Sequence, residues 1–343
     1  MKRKRSFWLL ALVPVALLVW AMQSAASWRP RLIGVQPGAN FITASPDGKL
    51  LVAGNSEVTQ IWDVITQRVL WKKEGGWPIF SPDSRTIMLA HATSITTGEM
   101  RTFAGFRFEL RDAQTGRLLR TFSDPDAKRK TDWGGDLCDR AFSPDGREFR
   151  VATTLWHWRF DVPSARLVTA RQWHCAPNKL PDDGTGLGTA AFAADGTVVG
   201  WYEGDGDSAT QCKDRCVNLA LFDPRTMRQL RVIRHQFSGT DLQIAPDNLS
   251  FIETARGDED ENYLCRLQDG KRIARLPYGT AQFSADGKRL YHASEQGCIV
   301  FDARTGLKLS ALPGPTSENF APSPDENYLY EARAGKIYRW RAR

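Results

Sequence analysis

The chain has 343 residues, 42% hydrophobic and 25% charged, proportions that exclude a disordered or collagen-like chain and are enough for a real core. Its formal net charge is +7, but Lys2, Arg3, Lys4 and Arg5 carry four of those charges, and the remaining +3 is too small to argue for a nucleic-acid partner. Length alone leaves one large domain or two ordinary ones open.

The first element is Ser6 to Met22, SFWLLALVPVALLVWAM, an uncharged run between those basic residues and the small polar stretch QSAAS. A basic head, an apolar run and small residues form an export signal, here a predicted hydrophobic helix whose cationic end stays in the cytoplasm. Residues 1–27 are therefore assigned as a signal-anchor or signal peptide, and residues 28–343 as a domain delivered to the cell envelope. The run is longer than the roughly 7 to 15 residues of a signal core and reaches the lower limit of a span, with Trp20 and Trp28 as interfacial anchors. Ser24-Ala25-Ala26 offers a cleavage site; once cut there, the domain would be secreted or periplasmic.

From there on one turn recurs: ITASPDGK, IFSPDSR, AFSPDGR, AFAADGT, QIAPDNL, QFSADGK and APSPDEN. Its aspartates are Asp47, Asp83, Asp145, Asp195, Asp247, Asp286 and Asp325, an average step of about 46 residues, which signals repeat architecture. Proline presets one turn dihedral, aspartate bonds its own backbone and glycine accepts a positive φ. Between these turns a second pattern repeats, as in IWDVITQRVL, ELRDAQTGRLL, LFDPRTMRQL and VFDARTGLKL: an apolar run, an acid, a turn rich in Thr and Gly, another apolar run. Period-two alternation dominates, so each unit is predicted as four short strands, a to d, with the first turn between a and b and the second between c and d.

FSPDG followed by IWD and TG resembles the WD-repeat β-propeller family over roughly residues 31–343. The resemblance implies an all-β propeller, one four-stranded blade per unit around a channel, and a scaffolding role. The Gly-His pair before strand a is absent and the Trp-Asp pair survives only as Trp62-Asp63, which leaves the family's structural hydrogen-bond network without its usual residues. Exported lactonase-like and quinoprotein-like propellers with degenerate repeats are similar as well. The last unit ends at Arg343 after a strand c, while residues 31–41, RLIGVQPGANF, read like the d segments elsewhere. The N-terminal strand is therefore expected to complete the last blade and close a seven-bladed ring, which removes open sheet edges.

The short turns belong to one face. The irregular insertions, His91 to Gly105, Ser123 to Asp139, Arg171 to Gly188 and Glu203 to Cys216, belong to the other and cluster over blades two to four. Long loops on a rigid scaffold are where binding function concentrates. Lys128, Arg129, Lys130, Trp133, Trp173, His174, Trp201 and Tyr202 are the candidate partner-binding residues there, aromatic and basic groups of the kind favoured in interface cores.

Cys138, Cys175, Cys212 and Cys216 lie in or beside these insertions and read as disulfides in an exported protein, with Cys212–Cys216 and Cys138–Cys175 the favoured pairing among three. Cys265 and Cys298 fall on predicted c strands as buried small hydrophobes. No zinc spacing gathers Cys138, His174 and Cys175; Asp205, Asp207 and the run from Asp258 to Glu261 fit no calcium loop and read as solvated acids. DDGTGLG leads into a strand rather than a helix, which excludes a dinucleotide loop. The five histidines, His91, His157, His174, His235 and His292, are scattered over the blades and form no catalytic triad, and His157 reads as a packed histidine. The sequence therefore points to an exported, membrane-anchored, non-catalytic scaffold for a protein partner, with no metal, cofactor or catalytic residue expected. The alternatives are a lactonase-like or quinoprotein-like propeller enzyme and a propeller that binds a carbohydrate or other small ligand.

Overall fold

The computed structural model describes residues 29–97, 100–123, 137–153, 156–172, 189–203, 217–235, 239–255, 262–277 and 279–342. The expected N-terminal helix falls outside them. Described regular structure is all strand, in seven four-stranded antiparallel sheets. After β1 (Arg31–Val35), blade one is β2 (Phe41–Ala44), β3 (Leu50–Gly54), β4 (Val58–Asp63) and β5 (Arg68–Glu74). Blade two is β6 (Trp77–Phe80), β7 (Thr86–Thr97), β8 (Met100–Asp112) and β9 (Leu118–Ser123). Blade three is β10 (Leu137–Phe142), β11 (Glu148–Thr153), β12 (Trp156–Asp161) and β13 (Arg166–Gln172). Blade four is β14 (Thr189–Phe192), β15 (Val198–Glu203), β16 (Val217–Phe222) and β17 (Gln229–His235). Blade five is β18 (Gly239–Ile244), β19 (Ser250–Ala255), β20 (Asn262–Arg266) and β21 (Arg272–Leu276). Blade six is β22 (Thr280–Phe283), β23 (Arg289–Ser294), β24 (Gly297–Asp302) and β25 (Lys308–Leu312). Blade seven has three strands from the C-terminal end of the chain, β26 (Phe320–Pro322), β27 (Tyr328–Arg333) and β28 (Lys336–Arg341).

The fourth strand of blade seven is β1, as the sequence expects. It runs antiparallel to β28, Arg31 opposite Arg339 and Val35 opposite Lys336, with a bulge between Leu32 and Gly34. The pairing buries Ile33 with Ile42, Leu51, Trp62, Tyr330 and Ile337, between blades seven and one. A Cβ on Gly34 would stand 2.3 Å from the Trp62 ring, so only glycine lets the closing strand pass so close. Similar apolar clusters fill the spaces between other blades, for instance Phe108, Phe122, Phe149 and Phe160 between blades two and three.

First strands of neighbouring blades lie side by side, β10 beside β14, β14 beside β18, β22 beside β26 and β26 beside β2, and so surround the channel. Among the described residues their inner edges pair with no further strand, and blade three ties two of them off with side chains. Asp139 Oδ2 accepts the Phe192 N–H of β14 at 2.8 Å, and Arg140 Nη2 donates to the Pro78 carbonyl of β6 at 3.3 Å. Burial pushes the Asp139 carboxyl above its usual range, although the backbone N–H groups of Phe192 and Arg140 and the Arg140 charge favour the ionised form.

The recurring a–b turn has a geometric reason. The residue after its aspartate has positive φ in every blade: Gly48, Ser84, Gly146, Gly196, Asn248, Gly287 and Glu326, between 56° and 89°. In five turns a serine, Ser45, Ser81, Ser143, Ser284 or Ser323, donates its hydroxyl to that aspartate and accepts the N–H of the residue five further on. The turns also abut: a Cβ on Gly48 would touch Pro324 of the preceding blade at 3.6 Å, and one on Gly287 would press to 2.6 Å on the Asp247 nitrogen. The c–d turn is as regular. Asp63, Asp112, Asp161, Asp223 and Asp302 accept both the N–H and the hydroxyl of Thr66, Thr115, Ser164, Thr226 and Thr305.

One expectation changes. The segment from His91 to Gly105 is no irregular insertion: β7 and β8 continue as an antiparallel ladder to Thr97 opposite Met100, with a bulge between Thr93 and Ser94. Its Thr and Ile content and the two-residue Gly98-Glu99 link favour a hairpin over a loop. The Trp-Asp pair, expected to lack the residues of its usual network, makes no indole hydrogen bond among the described residues, and the Trp62 N–H is buried. In blade seven, Trp340 Nε1 donates to the fully buried Glu331 at 2.8 Å, and Glu331 accepts the Thr316 N–H at 2.9 Å.

Gly287→Ala is expected to lower the unfolding free energy by more than Gly48→Ala. Both must hold a β-carbon at positive φ, at about 1–2 kcal/mol, but only Gly287 would also meet neighbouring backbone. Equal denaturant midpoints for the two variants would contradict this ring packing.

The turn aspartates also predict acid lability. At Asp63, Asp112 and Asp223 the threonine N–H is the chief cause holding the carboxyl below its usual range. At Asp145, Asp161 and Asp302 the serine or threonine hydroxyl leads, and at Asp286, held at about 2, the Lys288 N–H leads. At Asp47, Asp83 and Asp325 burial is the largest influence and works upward, but the serine hydroxyl and backbone N–H bonds together outweigh it. Folded values below unfolded ones mean stability that is complete above the unfolded value of about 4 and is lost as pH falls toward 2. Urea melts from pH 7 to 2 should show the loss concentrated below about pH 4; stability that stays level to pH 2 would refute it.

Candidate binding groove

Lys128, Arg129, Lys130, Trp133, Trp173 and His174 lie outside the described residues, as do Cys175, Cys212 and Cys216. The described strand ends that flank their segments, at Ser123, Leu137, Gln172, Thr189, Glu203 and Val217, lie at the end of the blades opposite the a–b turns. Trp201 and Tyr202 sit on β15, where Trp201 pairs with Thr189 and Leu219 and Tyr202 with Asn218. Cys138 is on β10, and no disulfide joins two described cysteines. Cys265 and Cys298 are buried on β20 and β24, and burial pushes the Cys298 thiol up to about 12. His157 is fully buried, and burial, then the nearby Arg150 and Arg159 charges, lower it to about 3, so it packs as a neutral ring. Among the described residues no three His, Cys, Asp or Glu side chains are grouped to hold a metal ion.

The opposite face, built of the regular turns, carries a groove where two of those turns lose their regular residues. Ala193 and Ala245 stand where five other turns have serine, so neither can bond its aspartate. Blade five also replaces the aspartate of its c–d turn with Arg266 and the threonine with Asp269. The turn keeps its shape, with the Gly270 N–H on the Arg266 carbonyl and a φ of 71° at Gly270. An ion pair, Arg266 Nη1 to Asp269 Oδ2 at 3.1 Å, stands in for the aspartate–threonine bonds. At the blade four to five junction, Asn248 Oδ1 accepts the Ala194 N–H at 2.8 Å and ties the two turns together.

The groove has a volume of about 510 Å³. Leu221, Leu249, Leu267 and Ile273 give it an apolar lining; Arg231, Arg266 and Arg304 bring positive charge. Arg304 donates through Nε and Nη2 to Asp247 Oδ2, both at 3.2 Å. The Arg266–Asp269 pair is about half exposed on both sides, where an ion pair contributes little. Arg231 donates to the Leu267 carbonyl at 3.1 Å and meets no carboxylate among the described residues. Leu249 is 47% exposed, a large apolar side chain presented to solvent beside these guanidinium groups. Each guanidinium presents a planar fork of N–H donors, a geometry suited to recognition of carboxylate or phosphate groups.

Sequence reasoning passed over this site. Its trace is visible in AFAADGT, QIAPDNL and RLQDGKR, where a turn departs from its own repeat, but the three arginines are 73 positions apart in the chain, from Arg231 to Arg304.

No family model matches the chain, and no curated protein matches it. Solved structures do resemble it. The β-propeller domain of Cps50 (Swd1) from Myceliophteria thermophila is 14% identical, covering 92% of this chain and 100% of that one, with a TM-score of 0.63. Hydrazine synthase from Kuenenia stuttgartiensis is 17% identical, covering 89% of this chain and 96% of that one, with a TM-score of 0.61. At such identities the likeness shows the propeller fold alone.

The exchanged turn of blade five can be checked by reverting it. Arg266→Asp alone should lower stability by no more than about 1 kcal/mol, because the new carboxylate faces Asp269 at an exposed site. Adding Asp269→Thr restores the repeat's own turn and should bring the melting temperature back to wild type or above it. A double variant less stable than the single one would show that the ion pair is required by the turn.

Proposed function

We propose that this chain is an exported, membrane-anchored propeller that acts as a non-catalytic scaffold for a protein partner, bound on the face of the long connections. The observation that carries the reading is the division of labour between the two faces. The regular turns, and the entry of β1 at Arg31 opposite Arg339 near the end of β28, lie on one face. The extended β7–β8 hairpin and the strand ends flanking residues 124–136, 173–188 and 204–216 lie on the other. A signal-anchor over residues 1–27, with its apolar run from Ser6 to Met22, would then approach the propeller from the turn face, leaving the connections directed away from the bilayer. Lys128, Arg129, Lys130, Trp133, Trp173, His174, Trp201 and Tyr202 remain the proposed partner contacts, with aromatic and arginine-type anchors as the expected energetic centre. Cleavage after Ala26 would release the same scaffold in secreted or periplasmic form.

Crosslinking and affinity purification of the full-length protein from its native membrane, beside a Trp133→Ala, Trp173→Ala variant, tests this. A specific protein recovered with the wild type and lost from the variant is the expected result. Recovery of no protein by either form would overturn the scaffold reading.

A further inference from the structure

We infer that the groove between blades four and five is a second docking site, for a peptide segment of a partner protein that presents one carboxylate next to a bulky apolar side chain. The site is separate from the connection face, and the inference does not depend on the reading above.

The ligand chemistry follows from what the groove leaves unmet. Leu249, together with Leu221, Leu267 and Ile273, offers apolar surface that gains by being covered. Among the described residues Arg231 has the Leu267 carbonyl as its one hydrogen-bond partner, and a carboxylate accepts from such a guanidinium fork through two parallel bonds. Arg304 and Arg266 stand on the same rim with donors beyond those given to Asp247 and Asp269. The volume, about 510 Å³, suits one or two large side chains rather than a whole domain.

The carboxylates decide against a more highly charged ligand. Asp195 lines the groove, and Asp247 and Asp269 flank it, so three acids balance three arginines. A phosphate group carrying nearly two charges would be held by Arg231 and repelled by all three acids. One carboxylate can take the Arg231 fork at the edge while its apolar neighbour covers Leu249. That pairing of one acid with one large apolar side chain is the specificity we assign.

The test is to pan a random library of displayed dodecapeptides against the full-length protein, with counter-selection on a full-length Arg231→Gln, Leu249→Asp variant. Both positions are exposed, and thermal melts of the variant check that it folds. The expected enrichment is an Asp or Glu within two residues of Leu, Ile, Phe or Trp. A synthetic peptide of that sequence should bind wild type at least tenfold more tightly than either Arg231→Gln or Leu249→Asp. It should be indifferent to 10 mM inorganic phosphate. Enriched peptides without an acid, peptides that bind the variants equally, competition by phosphate, or no enrichment would each overturn the inference. None of these outcomes touches the Trp133 and Trp173 experiment, whose readout is recovery of a partner from the native membrane.

Discussion

The antiparallel pairing of β1 with β28 is the contact on which the ring depends. Blades of a propeller touch only their neighbours, so an unclosed ring would leave β28 as an open edge and deprive blade one of half its packing. Closure joins the first and last strands of the propeller through ladder bonds, and its accuracy rests on small features: a bulge after Leu32, a glycine where Trp62 leaves no room for a β-carbon, and Ile33 delivered into the seam. Every other blade holds four consecutive strands and forms by local hairpins. Blade seven alone waits for the far end of the chain.

Around that ring, strain and its relief are spread evenly. Each a–b turn demands a left-handed residue, which glycine supplies at little cost in four blades. In the other three the side chain that suffers the strain also makes a bond a glycine could not. Ser84 accepts the Asp47 N–H of the neighbouring turn, Asn248 accepts that of Ala194, and Glu326 takes Arg289 and the Tyr291 hydroxyl. Departures from the repeat thus fall where blade meets blade. The groove follows the same logic: removing two serines and exchanging an aspartate for Arg266 leaves the turns standing but changes what they show to solvent.

Much of the architecture was legible because it is written in local chemistry. Turn residues at a fixed offset, period-two alternation and the missing last strand depend on neighbours a few positions away, and they led to seven blades, N-terminal closure and the burial of Cys265 and Cys298. The same local view misread His91 to Gly105, because a broken repeat was taken for a broken ladder, whereas Thr-rich segments with a two-residue link simply continue the strands. It also found no groove, since Ala193, Arg231, Leu249, Arg266 and Arg304 are unremarkable one by one.

By itself, then, the sequence determined the unit, the number of units and the way the ends meet, since turn dihedrals and alternation are properties of short segments. Tertiary structure alone decided which side chains share a surface. It gave the Trp340 indole a partner in Glu331 and left that of Trp62 without one among the described residues, set Asp139 and Arg140 across the inner edges of neighbouring blades, and gathered three arginines over an apolar floor. The physical reason is that contacts between blades depend on the rotation from one sheet to the next, a quantity that no single turn or strand encodes.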